Sequence, residues 1–221
     1  MGNRDAFDND TVYTDRAHAG RVLAGQLAQH RLVEPVVLGL ARGGVPVAAE
    51  VAAALHAPVR ACVARKIGAP GQPELALGAV AAQGPPTYDQ RLLRAFGLDA
   101  EQLSTQCEQQ RAEARRQERA YQHEAPVELS GRDVIVVDDG LATGATARAA
   151  IRRVHQDEPA RVVLAVPVGS PEAVAALSGE VDLLVCPSTP AAFSAVGQWY
   201  RDFRPVTDDE LHRLLGHGVP G

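Results

Sequence analysis

With 221 residues, 46% of them apolar and only 4% aromatic, the chain has length for one large domain or two small ones, and its core must be built from Val, Ala and Leu. A formal net charge of −5 gives no support to broad nucleic-acid binding, which goes with a basic excess. No apolar run approaches the roughly 20 residues of a membrane span, and Cys62, Cys107 and Cys186 form no CxxC pair, as expected of reduced, inert thiols.

Residues 1–13 are polar and acidic, unlike a secretion signal, and are expected to be flexible. A soluble cytoplasmic protein is the expectation. Thr14 or Asp15 can cap a helix running to about His30, with Ala19, Val22, Leu23, Leu27 and Ala28 on its apolar face. Residues 36–40, VVLGL, read as the first buried parallel strand. Ala41-Arg42-Gly43-Gly44 follows, and Pro46 suits the first turn of a helix over 45–55. That helix is almost entirely Ala and Val, so it must pack on the sheet. Residues 59–64 read as a second strand, with Arg65 and Lys66 at its end.

The stretch 67–84 is rich in Gly and Pro and is expected to be a mobile loop, with 74–82 an extended arm returning from it. Residues 99–122 are rich in Gln, Glu and Arg; Asp99 and Gln102 resemble a capping box. A long, largely solvated helix is expected there, and its mixed charges argue against a nucleic-acid contact. Strands are expected at 134–137, 161–167 and 181–186, and helices at 147–154 and 171–177, the latter capped by Ser170. Residues 187–204 gather Phe193, Trp199, Tyr200 and Phe203, and Thr207 can cap a closing helix over 208–215. The pattern predicts one α/β domain over 14–221, an open, mainly parallel sheet flanked by helices.

Ligands of such a sheet bind beyond the carboxyl ends of its strands. Residues 134–146, VIVVDDGLATGAT, deliver a buried strand into two carboxylates, Asp138 and Asp139, and then into a loop of small residues and hydroxyls. The loop lacks the Lys of GxxxxGK[ST] and does not match GxGxxG. Its backbone N–H groups at a helix N-terminus, with Thr143 and Thr146, suit a terminal monophosphate. Carboxylates beside a phosphate repel it, so they should face a ribose diol or a metal ion. No GxSxG nucleophile turn is present, and the histidines show no metal spacing.

VIVVDDGLATGAT closely resembles the phosphoribosyl-pyrophosphate (PRPP) motif of type I phosphoribosyltransferases, and its Ala-Thr-Gly form is similar to that of the adenine enzymes. Asp15-Arg16 with Ala19-Gly20, GLARGGVPVAAEVA, ARKIGAPGQPELALGAVA and FSAVGQWYRDF extend the likeness, toward a less characterised group, over residues 14–215. The resemblance implies a type I phosphoribosyltransferase-like fold with a small C-terminal hood at 187–204. It implies a PRPP-dependent transferase of nucleotide metabolism using Mg2+, with PRPP and a small heterocyclic acceptor as its partners. No nucleic-acid or membrane partner is expected, and a homodimer is.

By position, the resemblance gives Asp138 and Asp139 the ribose hydroxyls, and Ala142, Thr143, Gly144, Ala145 and Thr146 the 5′-phosphate. Ala41, Arg42, Gly43 and Gly44 match the pyrophosphate loop. Arg65 and Lys66 stand where the family's mobile loop begins and would neutralise the leaving group. The catalytic candidates are thus Asp138, Asp139, Arg65 and Lys66. Mg2+ would be held through PRPP, with Asp138 or Asp139 a further contact and no direct protein ligand assigned. Phe193, Trp199 or Tyr200 could stack on the acceptor; the alternative for each is a small satellite core. Ala142 stands where hypoxanthine–guanine enzymes carry an Asp, which argues against a 6-oxopurine acceptor by the same mechanism. Two other functions fit the motif: a PRPP- or nucleotide-sensing regulator without turnover, and a hydrolase or phosphorylase of ribose phosphates.

Overall fold

A computed structural model of the chain describes residues 12–121 and 127–216. The strands are β1 (Val36–Leu40), β2 (Val59–Cys62), β3 (Ala64–Ala69), β4 (Gln72–Ala81), β5 (Thr87–Tyr88), β6 (Asp133–Val137), β7 (Arg161–Ala165) and β8 (Leu183–Val185). The helices are α1 (Arg16–Leu27), α2 (Gly44–Leu55), α3 (Gln90–Phe96), α4 (Ser104–Tyr121), α5 (Ala145–His155), α6 (Pro171–Leu177) and α7 (Asp208–Gly216). Among them no helix is long and apolar enough to cross a membrane.

Five parallel strands form the main sheet in the order β2-β1-β6-β7-β8. Every residue of β1 and β6 is buried, because helices cover both faces and leave no solvated side to alternate toward. Successive side chains still divide between two cores. Val37, Ile135 and Val137 meet Leu23, Val51 and Leu211, while Leu38, Val134 and Val136 meet Ile151, Val154 and Leu177. Side-chain caps set the helix starts. Asp15 accepts from the His18 N–H at 2.7 Å, Ser170 from Ala173 at 3.1 Å and Thr207 from Glu210 at 3.2 Å. Each such cap contributes about 1 kcal/mol.

Three expectations change. Residues 67–84 are mostly strand, not loop: β3, β4 and β5 form an antiparallel sheet. Gly71, at φ +76°, reverses the chain between β3 and β4, and the pairing slips register around Gly68. The glycines therefore mark a turn and an irregularity inside a sheet. Ile67, Leu77 and Val80 bury its apolar face against Leu93, Leu103 and Cys107. Arg65 and Lys66 consequently lie within β3 and not at the end of β2.

The helix expected over 99–122 begins at Ser104 and is less solvated than its composition suggests. Cys107, Arg111, Ala114 and Tyr121 are buried, and Arg111 and Arg115 donate to the carbonyls of Gly84 and Ala82 at 2.6 and 2.8 Å. Long Arg stems cover apolar surface while their heads tie down the hairpin. Asp99 and Gln102 do exchange reciprocal bonds of 2.9 Å, but in a turn ahead of the helix. Residue 122 lies outside the described residues.

The sequence pattern predicts a flexible N-terminal stretch over residues 1–13. Residues 1–11 lie outside the described residues, but Tyr13 is fully buried. Its N–H donates to the Trp199 carbonyl and its own carbonyl accepts from Arg201, both at 2.8 Å. The ring belongs to an aromatic cluster with Trp199 and Tyr200, which a polar N-terminal composition does not reveal.

Candidate active site

From β1 the chain crosses to β2 on one side, and the next strand beside β1 on the other is β6. That reversal opens a crevice at the carboxyl ends of β1 and β6, where ligands of open α/β sheets bind. Gly39 and Val137 stand in register there, so the turns that follow leave side by side. A Cβ added to Gly43 would lie 2.0 Å from Asp139 Oδ2, and one added to Gly44 would lie 2.5 Å from the Val137 carbonyl oxygen. Only glycine permits this approach. The Ala41–Arg42 peptide is cis.

The two acids are held by different means. Asp138 accepts the Asp139 N–H at 2.9 Å. Asp139 Oδ2 accepts Arg16 Nε at 2.8 Å, with the side chains 13% and 11% exposed. The Arg16 guanidinium also lies 4.0 Å from the centre of the Phe203 ring, and its Nη1 donates to the Arg204 carbonyl at 2.9 Å. The Tyr200 hydroxyl donates to the Asp139 carbonyl at 2.6 Å. Burial pushes the Asp138 carboxyl well above the usual carboxylate range, and the neighbouring Asp139 charge adds to it. Burial raises Asp139 too, against the opposing pull of Arg16. The sequence carried Arg16 inside a resemblance without a role. Its bond to Asp139 spans 123 positions, and no local pattern signals that.

The phosphate-type loop is anchored from below. Ser170 donates to the Ala142 carbonyl at 2.7 Å while capping α6. Gly144, at φ +74°, turns the chain into α5. Ala142 and Thr143 are exposed, and the first amides of α5 have no helical partners.

Residues 41–44, Asp138, Asp139 and 142–146 thus gather at the carboxyl end of the sheet. Other candidates do not join them as expected. The Arg42 backbone is in the turn, but its guanidinium lies 3.5 Å from Asp208 and 3.4 Å from the Val206 carbonyl. Arg65 turns to α4, where it donates to Gln110 and Gln117 at 2.7 and 3.4 Å. Trp199 and Tyr200 are buried in the satellite cluster with Tyr13, Ala19 and Val168. With few aromatics in the chain, these rings pack on each other, and Tyr200 also spends its hydroxyl on Asp139. Phe193 is only half-buried beside that cluster.

Among the described residues no group of three or more His, Cys, Asp or Glu is arranged to hold a metal ion. The hydrogen bonds above commit one oxygen of each acid, Asp138 Oδ1 and Asp139 Oδ2. The remaining hard oxygens fit Mg2+, which keeps several ligands from water and substrate phosphates.

Residues 9–194 match the family model described as the phosphoribosyl transferase domain. A Mycobacterium tuberculosis protein named "Putative phosphoribosyl transferase" is 46% identical over 205 residues, 92% of this chain. The chain spans about half the length of that relative, 46%. The crystal structure of a Thermus thermophilus protein is 46% identical and aligns with a TM-score of 0.79, over 93% of this chain and 98% of that one. A purine phosphoribosyltransferase from Pyrococcus horikoshii shares the fold at 16% identity, with a TM-score of 0.50 over 90% of this chain and 99% of that one.

Proposed function

The chain belongs to the phosphoribosyl transferase domain family, and from that premise we propose that it transfers ribose 5-phosphate from PRPP to a nucleobase-like heterocycle, releasing pyrophosphate. The observation that carries the reading is the pair of turns pressed together at the crevice, Gly43 and Gly44 against Asp138 and Asp139. One turn offers backbone to a diphosphate. The other offers carboxylates to a diol and amides to a monophosphate.

Cleaving the C1–oxygen bond leaves a cation-like sugar and a strongly anionic leaving group. Such chemistry needs positioning and electrostatics more than a nucleophile. Asp138 and Asp139 take the ribose hydroxyls and hold negative charge near the developing cation. Arg16 fixes the orientation of Asp139. The amides of 142–146 hold the 5′-phosphate, and those of 41–44 the pyrophosphate. The acceptor attacks C1 directly, with inversion and no covalent enzyme intermediate. Asp138 or Asp139 would help hold Mg2+, which when bound with the diphosphate supplies charge neutralisation. Phe193 is the hood aromatic left to face the acceptor. The resemblance further supports a homodimer.

Calorimetric titration with PRPP and Mg2+ tests the reading. Saturable binding is expected, and it is lost when Asp138→Asn and Asp139→Asn are combined. No binding to the unsubstituted protein overturns it.

A further inference from the structure

Arg65 and Lys66 are neighbours on β3, so they point to opposite faces of the hairpin. Arg65 is spent on α4. Lys66 instead lines a cavity of about 310 Å³ whose walls include Tyr88, Asp89, Arg148, and Thr143 and Ala145 of the phosphate-type loop. Among its described lining residues none comes from 41–44. The other charged groups of the cavity are occupied. The Asp89 carboxylate accepts the Arg91 and Leu92 N–H groups at 2.8 and 3.1 Å, and Arg148 pairs with Glu180 at 2.7 Å. Among the described residues, none of the ion pairs engages Lys66. It is also the only lysine of the chain, against 21 arginines.

A phosphate monoester carries a charge of roughly −1.5 to −2 at neutral pH. A helix N-terminus answers it with only about half a positive charge, and here two carboxylates stand just before the loop. Amides and hydroxyls can seat the phosphate, but a nearby cation would balance more of its charge. A compact ammonium on a flexible stem does so without a fixed fork geometry.

We propose that Lys66 is the cation that closes on the 5′-phosphate of the donor, and not on its pyrophosphate. This rests on the PRPP reading above. It separates two neighbouring basic residues that share one place in the motif: Lys66 touches the substrate, and Arg65 holds the hairpin to α4.

Because Lys66 is the only lysine, an amine-acetylating reagent followed by peptide mass spectrometry reads it alone, with the terminal amine as internal reference. Saturating ribose 5-phosphate, or PRPP with Mg2+, is expected to abolish acetylation at Lys66, and pyrophosphate alone to leave it unchanged. Protection by pyrophosphate but not by ribose 5-phosphate overturns the assignment. So does calorimetric PRPP binding with no protection. If PRPP does not bind at all, the proposed function falls and this assignment with it. In a second arm, Lys66→Met should weaken ribose 5-phosphate binding about tenfold and leave pyrophosphate binding intact, which also reports on folding; Lys66→Arg should restore part of the loss. The opposite pattern, with pyrophosphate weakened and ribose 5-phosphate spared, overturns it.

Discussion

On the α1 side of the acid pair the groups that hold Asp139 are committed. Arg16 is bonded to Asp139, stacked on Phe203 and tied to the Arg204 carbonyl, and Gly43 leaves no room for a methyl group. On the hairpin side the walls stand apart. Ala142 and Thr143 are exposed, a cavity separates Lys66 from the loop, and none of the ion pairs among the described residues engages that lysine. Preorganisation is therefore built into one side of the crevice only. The half assigned to ribose and pyrophosphate is set before substrate arrives. The half assigned to the 5′-phosphate is left for substrate to complete, so ordering Lys66 is a cost that binding must offset.

The largest effect should come from breaking the committed side. Arg16→Met leaves a buried carboxylate without its partner and should cost about 3 kcal/mol of unfolding free energy. Urea denaturation checks it, and a cost near zero would mean the two sides are equally loose. Gly43→Ala comes next, at about 2 kcal/mol, with weakened PRPP binding. Asp139 cannot swing away from the new methyl because Arg16 holds it. The cost should therefore shrink in the Arg16→Met background, and a double-mutant cycle with additive effects would contradict the interlock.

Asp138→Asn should act in the opposite direction on stability, by about 1 kcal/mol in favour of the folded state at neutral pH, while turnover falls about a hundredfold. The sign follows from burial. The Asp138 carboxyl titrates well above its ordinary 3.8 when folded. Below 3.8 both states are protonated and the acid costs nothing. As pH rises from there, the unfolded chain ionises first and stability falls, and the penalty is complete only above the folded value. The gain from Asn should thus be largest at alkaline pH and fade toward acid in thermal melts. A gain that grows toward acid would invert the account. The smallest effect is expected at Arg65→Gln, which should change PRPP affinity by no more than about twofold, in line with a residue that makes no substrate contact. Calorimetry alongside Lys66→Met sharpens the contrast between the neighbours.

Much of this was readable from the chain. Continuous apolar runs such as VVLGL and VIVV mark strands buried on both faces, and Asp15, Ser170 and Thr207 announce helix starts by side-chain chemistry that is local. The motif at 134–146 placed two acids and a loop at one strand end. Reading failed where spacing, not composition, carried the information. The Gly and Pro of 67–84 suggested a loop, yet Ile67, Leu77 and Val80 supply an apolar face and Gly71 a turn. Once β3 is recognised, simple alternation separates Arg65 from Lys66. The Arg16–Asp139 bond and the burial of Trp199 and Tyr200 depend on contacts between distant segments, which no single window contains.

Transfer from PRPP to an acceptor is measured by the release of pyrophosphate. With PRPP, Mg2+ and a panel of nitrogen heterocycles, the account predicts release only when an acceptor is present, and none from the variant carrying Asp138→Asn with Asp139→Asn. Release without any acceptor would make the protein a hydrolase of ribose phosphates. PRPP binding with no release across the panel would make it a sensor, and either result would contradict the transferase.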